Sequence, residues 1–490
     1  MKIKIYDGHN VIGGNKIFVE SNSGNTIILD FGKNFATYGK YFEEFLTPRA
    51  GSGIYDFWKL NLIPHLNGLY RKDLALYLND EVEQSPGVSV SALFLSHAHL
   101  DHAGFIPFIR EDIPIITSSI SYKILRSLED TGTQGMLYEY CKASEAELKQ
   151  GVNEEKISKK RGSEKPRNFI FDKSGSIADF KYEVFPVDHS ILGASALFII
   201  VDGVKIAYTG DLRFHGKNRD KTDAFFDFLK SVGVDVLITE GTRVPPKDDI
   251  EKTFKETQLT EDDVKHVSSD VVHKFKGKLV IADFGARNIE RLETFLDVAI
   301  DSGRKLAVTL KDAYLLHLLK SEGLNLIENE ALVIVESKRE QNKKWVKEMS
   351  DFYKDRFITM KDIGKNPYDY ILCYSYWDMP NLLDITIEDG AYIYSTSEAF
   401  SEEQMIDTLR LFNWLNYFNL KPFGVALEDG KPVFTREFHA SGHASFKDLV
   451  QAIEKVKPKV LLPIHSESIE TYKEYFGDSI KVHLDEELVL

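Results

Sequence analysis

The sequence predicts an α/β protein of more than one domain, assembled from short strands that end in metal-ligating side chains. Three observations carry that expectation. The chain has 490 residues, more than one hydrophobic core organises. Its apolar runs are strand-length, and several stop at a histidine or an acid, as in ALFLSH and VLITE. From about residue 248 onward, short apolar runs alternate with helical patterns, which is the signature of a parallel α/β sheet.

The elements follow in order. Residues 3–32 read as strands joined by tight turns: KIKIY, an IGGN turn, KIFVES, an SGN turn and TIILDFG. Residues 35–83 are aromatic-rich, and their pattern does not separate helix from loop; a lid, a dimer surface and plain core are all open for them. Residues 92–95 form a strand ending at Ser96-His97. Residues 113–117 form another, followed by the helical SISYKILRSLED. The charged stretch within 140–170 reads as an exposed helix and a loop. Residues 182–187 are a strand ending in Asp188-His189. Residues 196–201 and 204–208 flank Asp202-Gly203, a hairpin signal, and the second leads to Thr209-Gly210-Asp211. Residues 234–239 end at Glu240. Then come KLVIADFG, RKLAVTL, ALVIVE, DYILCYSY and AYIYSTS as strands, with a helix or polar helical stretch after each of the first three. The helix SEEQMIDTLRLFNWLNYF, the segment FTREFHASGHAS, the helix FKDLVQAIEKV and the strand KVLLPIH close the pattern.

Composition narrows the classes. The two cysteines, Cys141 and Cys373, exclude a disulfide scaffold and a cysteine zinc ribbon and fit a reducing cytoplasm. No apolar run reaches the roughly 18 residues of a membrane span, and the N-terminal residues read as strand, not signal peptide. The formal net charge of −15 weighs against nucleic acid as a partner, although binding depends on where charge sits. The stretch KISKKRGSEKPR gathers Lys156, Lys159, Lys160, Arg161, Lys165 and Arg167. It reads either as a solvated loop or as a segment that tracks a nucleic-acid backbone.

The chemistry concentrates in His97-Ala98-His99-Leu100-Asp101-His102. Imidazole and carboxylate are the ligands of a catalytic zinc. Four potential ligands within six residues cannot all face one ion, but a tight turn can divide them between two. His189, Asp211 and His465 each stand where a strand stops, so the whole set can meet at one sheet edge.

This order of ligands resembles the metallo-β-lactamase superfamily. The resemblance implies an αββα sandwich holding two Zn²⁺. His97, His99 and His189 would bind one ion, Asp101, His102 and His465 the other, and Asp211 would bridge them. Histidine at 99 favours zinc over iron, and Mn²⁺ suits the same donors. Roughly 200 residues of mostly α/β pattern separate Glu240 from His439, and that insert resembles the β-CASP nuclease branch. The domains are then 1–245 and 421–490 for the sandwich and 246–420 for an inserted parallel α/β β-CASP domain. Glu240 in LITEGTR, His443 in HASGHAS and His465 in PIHSE match the branch's motifs, and HASGHAS with DFGARNIERL is most similar to ribonuclease J.

What the resemblance implies is a zinc-dependent phosphodiester hydrolase, read first as a 5′–3′ exoribonuclease. Asp101, Glu240 and His443 are its catalytic candidates, with Glu240 holding His443 as a general acid. His439, Ser441, Arg287 and Asn288 are the candidates for contacting substrate phosphate. Arg287 departs from the family, where a small polar residue is usual. Glu240 departs towards the polyadenylation nucleases, which leaves exo- against endonuclease mode open. The sequence is also expected to lack the C-terminal domain of bacterial ribonuclease J and the N-terminal RNA-binding extension of archaeal polyadenylation-factor homologues. RNA is the expected partner. A DNA nuclease or endoribonuclease of the same branch, a small-molecule hydrolase and a non-catalytic scaffold are the alternatives; a homodimer is open and the cytoplasm is the expected compartment.

Overall fold

The computed structural model describes every residue except 44, 152–153, 338–342 and 397–401. Parts of the charged stretch after residue 140, of the polar stretch after ALVIVE and of the segment after AYIYST therefore lie outside the described residues.

Two seven-stranded sheets face each other. In order across the first lie Phe169–Ile170, Ile115–Ile116, Ser89–Phe94, Asn25–Leu29, Lys16–Glu20, Lys2–Asp7 and Glu487–Val489. Across the second lie Ser174–Ile177, Phe180–Pro186, Ser195–Val201, Val204–Tyr208, Val236–Thr239, Val460–Pro463 and Lys481–Val482. The alternation of side chains along each strand decides what faces what. Ile3, Ile5, Ile27, Leu29, Ala92 and Phe94 meet Leu197, Ile199, Ile206, Tyr208, Val236 and Ile238 in the central core. The intervening Leu93 and Leu95 face outward onto a second core, and Leu237 and Leu461 onto a third.

Helical segments cover both outer faces, so the sandwich has the αββα layering. Residues 35–83 supply the cover of the first sheet: Phe57, Trp58, Leu62, Ile63, Leu66 and Leu69 are buried in its outer core. Of the three roles left open for this segment, core cover is the one its buried residues fill, and Phe35, Phe45 and Leu46 stay exposed. The helices Arg219–Val232 and Phe446–Val456 cover the second sheet. Asp202 and Gly203 take φ of 52° and 80°, the left-handed pair that a two-residue hairpin turn demands, and they connect Val201 to its partner Val204.

A third sheet lies in the insertion. Its seven strands, in the order Phe357–Ile358, Leu332–Val335, Lys305–Val308, Tyr370–Cys373, Leu279–Asp283, Gly390–Tyr394 and Leu420–Phe423, are all parallel. No helix among the described residues is long and apolar enough to cross a membrane.

One expectation is overturned. The charged stretch within 140–170 is not an exposed helix but β structure, with Ala146–Gln150 paired antiparallel to Glu155–Lys159 and Lys142–Ala143 to Lys165–Pro166. Its cations are largely paired: Lys159 with Glu139 and Glu164, and Lys160 and Lys165 with Glu145. Arg167 is buried and donates to the carbonyls of Ile109 and Pro107. The acids Glu139, Glu145 and Glu164 stand outside the paired strands and offset charges that the composition alone leaves free.

Candidate metal centre

Strand direction brings the ligands together. Asn25–Leu29 runs parallel to Ser89–Phe94, and Val204–Tyr208, Val236–Thr239 and Val460–Pro463 run parallel to one another. Beyond their last residues stand Asp30, the turn from Ser96 to His102, Asp211, Glu240 and His465. His189 follows Phe180–Pro186, which points the same way two strands over from Val204–Tyr208. The 96–102 turn is clamped by backbone: the N–H groups of Gly14 and Asn15 donate to the Asp101 carbonyl at 3.0 and 3.1 Å. Gly32 permits this approach, since a Cβ there would lie 1.6 Å from that carbonyl oxygen.

All seven expected ligands converge. His97 Nε2 lies 3.1 Å from His99 Nδ1, which lies 3.2 Å from His189 Nε2. These three form one donor group, and Asp101, His102, Asp211 and His465 form a second. Asp211 Oδ2 touches both, at 3.7 Å from His97 Nε2, 3.9 Å from His189 Nε2, 3.1 Å from His102 Nε2 and 3.8 Å from His465 Nε2.

The far ring nitrogens are pinned, which aims the near ones inward. His97 Nδ1 faces Ser96 Oγ at 3.0 Å, His189 Nδ1 the Gly442 carbonyl at 2.5 Å, and His465 Nδ1 Thr242 Oγ1 at 2.8 Å. His102 Nδ1 donates to Asp30 Oδ2 at 2.7 Å. Asp30 is itself fixed by Ser96 N–H and Oγ and by the Tyr208 hydroxyl. Asp30 is not among the residues singled out from the sequence, although the acid ending TIIL carries the same strand-end signature as the ligands. Asp30→Asn is expected to lower metal affinity about 10- to 100-fold, as loss of an orienting carboxylate does. Competition with a chelator measures this, and unchanged affinity would remove Asp30 from the centre.

The donor set fits metal ions. His102 Nε2 and Asp211 Oδ1 are buried without a hydrogen-bond partner, and His102 Nε2 lies 3.1 Å from Asp211 Oδ2. Buried polar atoms left this way are costly, and a cation among them satisfies them together. Protonation points the same way. Burial and the neighbouring imidazoles hold His97 and His189 well below the usual histidine range, and His99 is pulled down to about 4, chiefly by burial. These rings are therefore neutral and free to ligate. His102 goes the other way: burial opposes its charge, but Asp211, Asp101 and Asp30 outweigh it and raise it well above 6.5. A metal supplies the positive charge that this proton provides, so binding releases it.

Beside the cluster, His443 Nδ1 donates to Glu240 Oε2 at 3.0 Å. Glu240 is fully buried and held by the N–H groups of Leu212 and Thr242. Burial disfavours charge on His443, yet the Glu240 carboxylate, with Asp211 and Asp101, raises it to about 9. Although His443 also lies within ligand distance of His189 and Asp211, its Nδ1 is committed to Glu240. The ring is partly exposed, with 22% of its side-chain surface open.

The four phosphate-contact candidates divide. Ser441 anchors its own turn: Oγ accepts from His443 N–H, and its carbonyl accepts from Arg213 and His215. Asn288 caps the helix Ile289–Asp301, its Oδ1 accepting from Arg291 N–H at 3.0 Å. His439 has a buried Nδ1 without a partner, and burial and Arg291 lower it to about 4. Arg287 is half-buried beside the cluster.

Two buried arginines stand behind the site; Arg291 belongs to the DFGARNIERL match, whereas sequence reasoning does not single out Arg213. Arg213 bonds Asp188, Glu290 and the Ser441 carbonyl. Arg291 bonds Glu261, Ser395 and the Phe438 carbonyl. They tie the turn carrying His443 to the insertion.

Sandwich, ligand cluster and parallel insertion together define the class: an αββα sandwich of the metallo-β-lactamase fold with a candidate metal centre and an inserted parallel α/β unit. In sequence the chain is similar to ribonuclease J. It is 23% identical over 388 residues to "Ribonuclease J" of Mycoplasma pneumoniae, covering 77% of this chain and 58% of that protein. It is 25% identical over 399 residues to "Probable RNase MJ4" of Methanocaldococcus jannaschii, covering 78% and 82%. To "Ribonuclease J 2" of Streptococcus pyogenes it is 22% identical over 403 residues, covering 81% and 62%. The matched region thus spans under two thirds of the mycoplasmal and streptococcal relatives. No family model matches. A crystal structure of a protein of unknown function from Enterococcus faecalis shares the fold over the whole chain, with a TM-score of 0.69, 22% identity and coverage of 100% and 99%.

Proposed function

We propose that this protein is a two-zinc ribonuclease that removes nucleotides from the 5′ end of RNA. The observation that carries the reading is the Glu240–His443 pair at 3.0 Å beside the donor cluster, because a ligand cluster alone serves many hydrolases. The names of the relatives support RNA as the substrate. The attack from the 5′ end rests on the likeness of HASGHAS to ribonuclease J. His97, His99 and His189 would hold one ion and Asp101, His102 and His465 the other, with Asp211 shared; Mn²⁺ suits the same donors. Bound zinc supplies Lewis acidity, activating water and balancing charge on the phosphate.

The chain's own groups do the rest. Leaving alkoxide needs a proton, and His443 is placed to give one. Its Nδ1–H is held by Glu240, so the transferable proton sits on Nε2. Glu240 keeps the ring charged and fixes its plane. Asp30, Ser96, Gly442 and Thr242 hold the ligand rings in place before substrate arrives.

The test uses zinc-loaded protein with a 5′-monophosphorylated single-stranded RNA and the matching DNA, each labelled at either end. Mononucleotides released from the 5′ end of RNA, and lost in His443→Ala, are the expected result. Internal cuts, DNA preference or no cleavage would replace the reading with the endonuclease, the DNA nuclease or the small-molecule hydrolase respectively.

A further inference from the structure

Lys16 is the one buried lysine among the described residues. Its ammonium lies between the Phe31 and Phe105 rings, 5.9 and 5.2 Å from their centroids. Nζ donates to Asp7 Oδ2 at 2.9 Å and to the Gly14 carbonyl at 3.0 Å. Lysine is rarely buried this deeply. A buried ion pair can often be replaced by apolar side chains without loss of stability, so stability alone does not account for this one. What an apolar side chain cannot do is hold the Gly14 carbonyl.

That carbonyl belongs to the peptide whose N–H, on Asn15, donates to the Asp101 carbonyl at 3.1 Å, beside the bond from Gly14 N–H at 3.0 Å. The loop also lies against the ligand side chain, since a Cβ on Gly13 would stand 2.9 Å from Asp101 Cβ. Asp7 acts at the other end of the loop. Its Oδ1 accepts from Gly8 N–H at 3.0 Å and from Asn34 Nδ2 at 2.7 Å. The Gly8 carbonyl in turn accepts from His465 N–H at 2.6 Å. His465 has φ of 52°, a left-handed conformation that a histidine keeps only when its surroundings fix it. Each half of one buried ion pair thus holds a peptide that holds a ligand, and both ligands, Asp101 and His465, belong to the same donor group. None of these bonds ends on His97, His99 or His189.

We propose that the Lys16–Asp7 pair is a positioning device for the ion held by Asp101, His102, Asp211 and His465, and that it leaves the ion at His97, His99 and His189 untouched. The assignment rests on the two-ion reading of the centre and not on the ribonuclease chemistry. The first hairpin of the chain contributes no ligand, yet through this pair it sets the spacing between two ligands 364 positions apart.

The test compares native protein with Lys16→Met and with the double variant Lys16→Met/Asp7→Asn. The single variant leaves Asp7 without its counter-charge. The double variant removes both charges and should regain most of the lost melting temperature, but it does not restore the bond to the Gly14 carbonyl. Stepwise competition for Zn²⁺ with a chelator reads the two ions separately. In both variants one ion is expected to be held about 10-fold more weakly, the lower end of what loss of an orienting group costs, and the other with native affinity. His99→Ala and Asp101→Ala backgrounds, each lacking a ligand of one group, identify the weakened ion: the effect of Lys16→Met should persist in the first and vanish in the second. Equal weakening of both ions, or affinity that recovers together with melting temperature in the double variant, means that Lys16 acts only on the fold and overturns the assignment. Native affinity for both ions in Lys16→Met does the same. Native protein that holds fewer than two zinc ions overturns the two-ion reading and this assignment with it.

Discussion

His443→Ala is expected to lower kcat by about 10²- to 10⁴-fold, the usual worth of a positioned general acid, while the metal content stays unchanged. Elemental analysis and turnover on one preparation check the two halves together. Metal loss would make His443 a ligand, and unchanged turnover would remove it from the reaction. Glu240→Gln separates holding from charging. The neutral amide still accepts the Nδ1–H bond but no longer favours the charged ring, so His443 should titrate lower than the value of about 9 it has beside the carboxylate. A general acid works only while protonated, so activity falls as pH rises through its pKa, and the alkaline limb of the pH–rate profile should move to lower pH in the variant. Bound cations lower the pKa in both proteins, so the difference between native and variant is the quantity to measure. In metal-free protein the same raised pKa contributes stability that is complete below the unfolded value of 6.5 and is lost as pH rises through about 9.

Arg213→Met is expected to destabilise the fold by about 3–5 kcal/mol, because it leaves two buried carboxylates without their counter-charge. Arg213, Asp188 and Glu290 are all shielded from solvent, at 0%, 0% and 4% side-chain exposure. The 3.2 Å bond to Asp188 stands one residue from the ligand His189, and the bond to the Ser441 carbonyl stands two residues from His443. Activity should therefore fall with stability, and isosteric Glu290→Gln should be milder, since Arg213 keeps Asp188 as its counter-charge and the amide oxygen can still accept from it. Denaturant unfolding of native and variant protein measures the first; a loss below about 1 kcal/mol, the scale of an ordinary surface pair, would mean that water or a neighbour compensates the carboxylates.

Legibility in the sequence follows the range of the interactions. His97, Asp211, Glu240 and His465 stand out because each ends a run of apolar residues whose period is set locally. The Asp202-Gly203 turn is legible for the same reason. Arg213 is not, because its partners Asp188 and Glu290 lie 25 and 77 positions away, and nothing in a polar residue's own neighbourhood announces a buried ion pair. Asp30 follows the ligand signature, but it supports a ligand ring instead of facing the cluster, a difference that only three dimensions display. The 140–170 stretch misleads because lysine and glutamate favour helices and loops, whereas here they stand in short antiparallel pairings, with ion pairs to Glu139, Glu145 and Glu164 beside the strands.

The order of these parts along the chain has a consequence for synthesis. Six of the seven ligand positions, His97 to Asp211, precede the insertion in the chain and are synthesised before it. His443 and His465 emerge only after it. On the proposed chemistry, a nascent chain can gather metal early but has no proton donor. Its contacts at the centre join residues hundreds of positions apart, as between His465 and Asp101, and contacts of that range form late. Hydrolytic competence is therefore deferred to the last stage of folding, and a chain that stalls within the insertion is a metal-binding fragment without the means to cut.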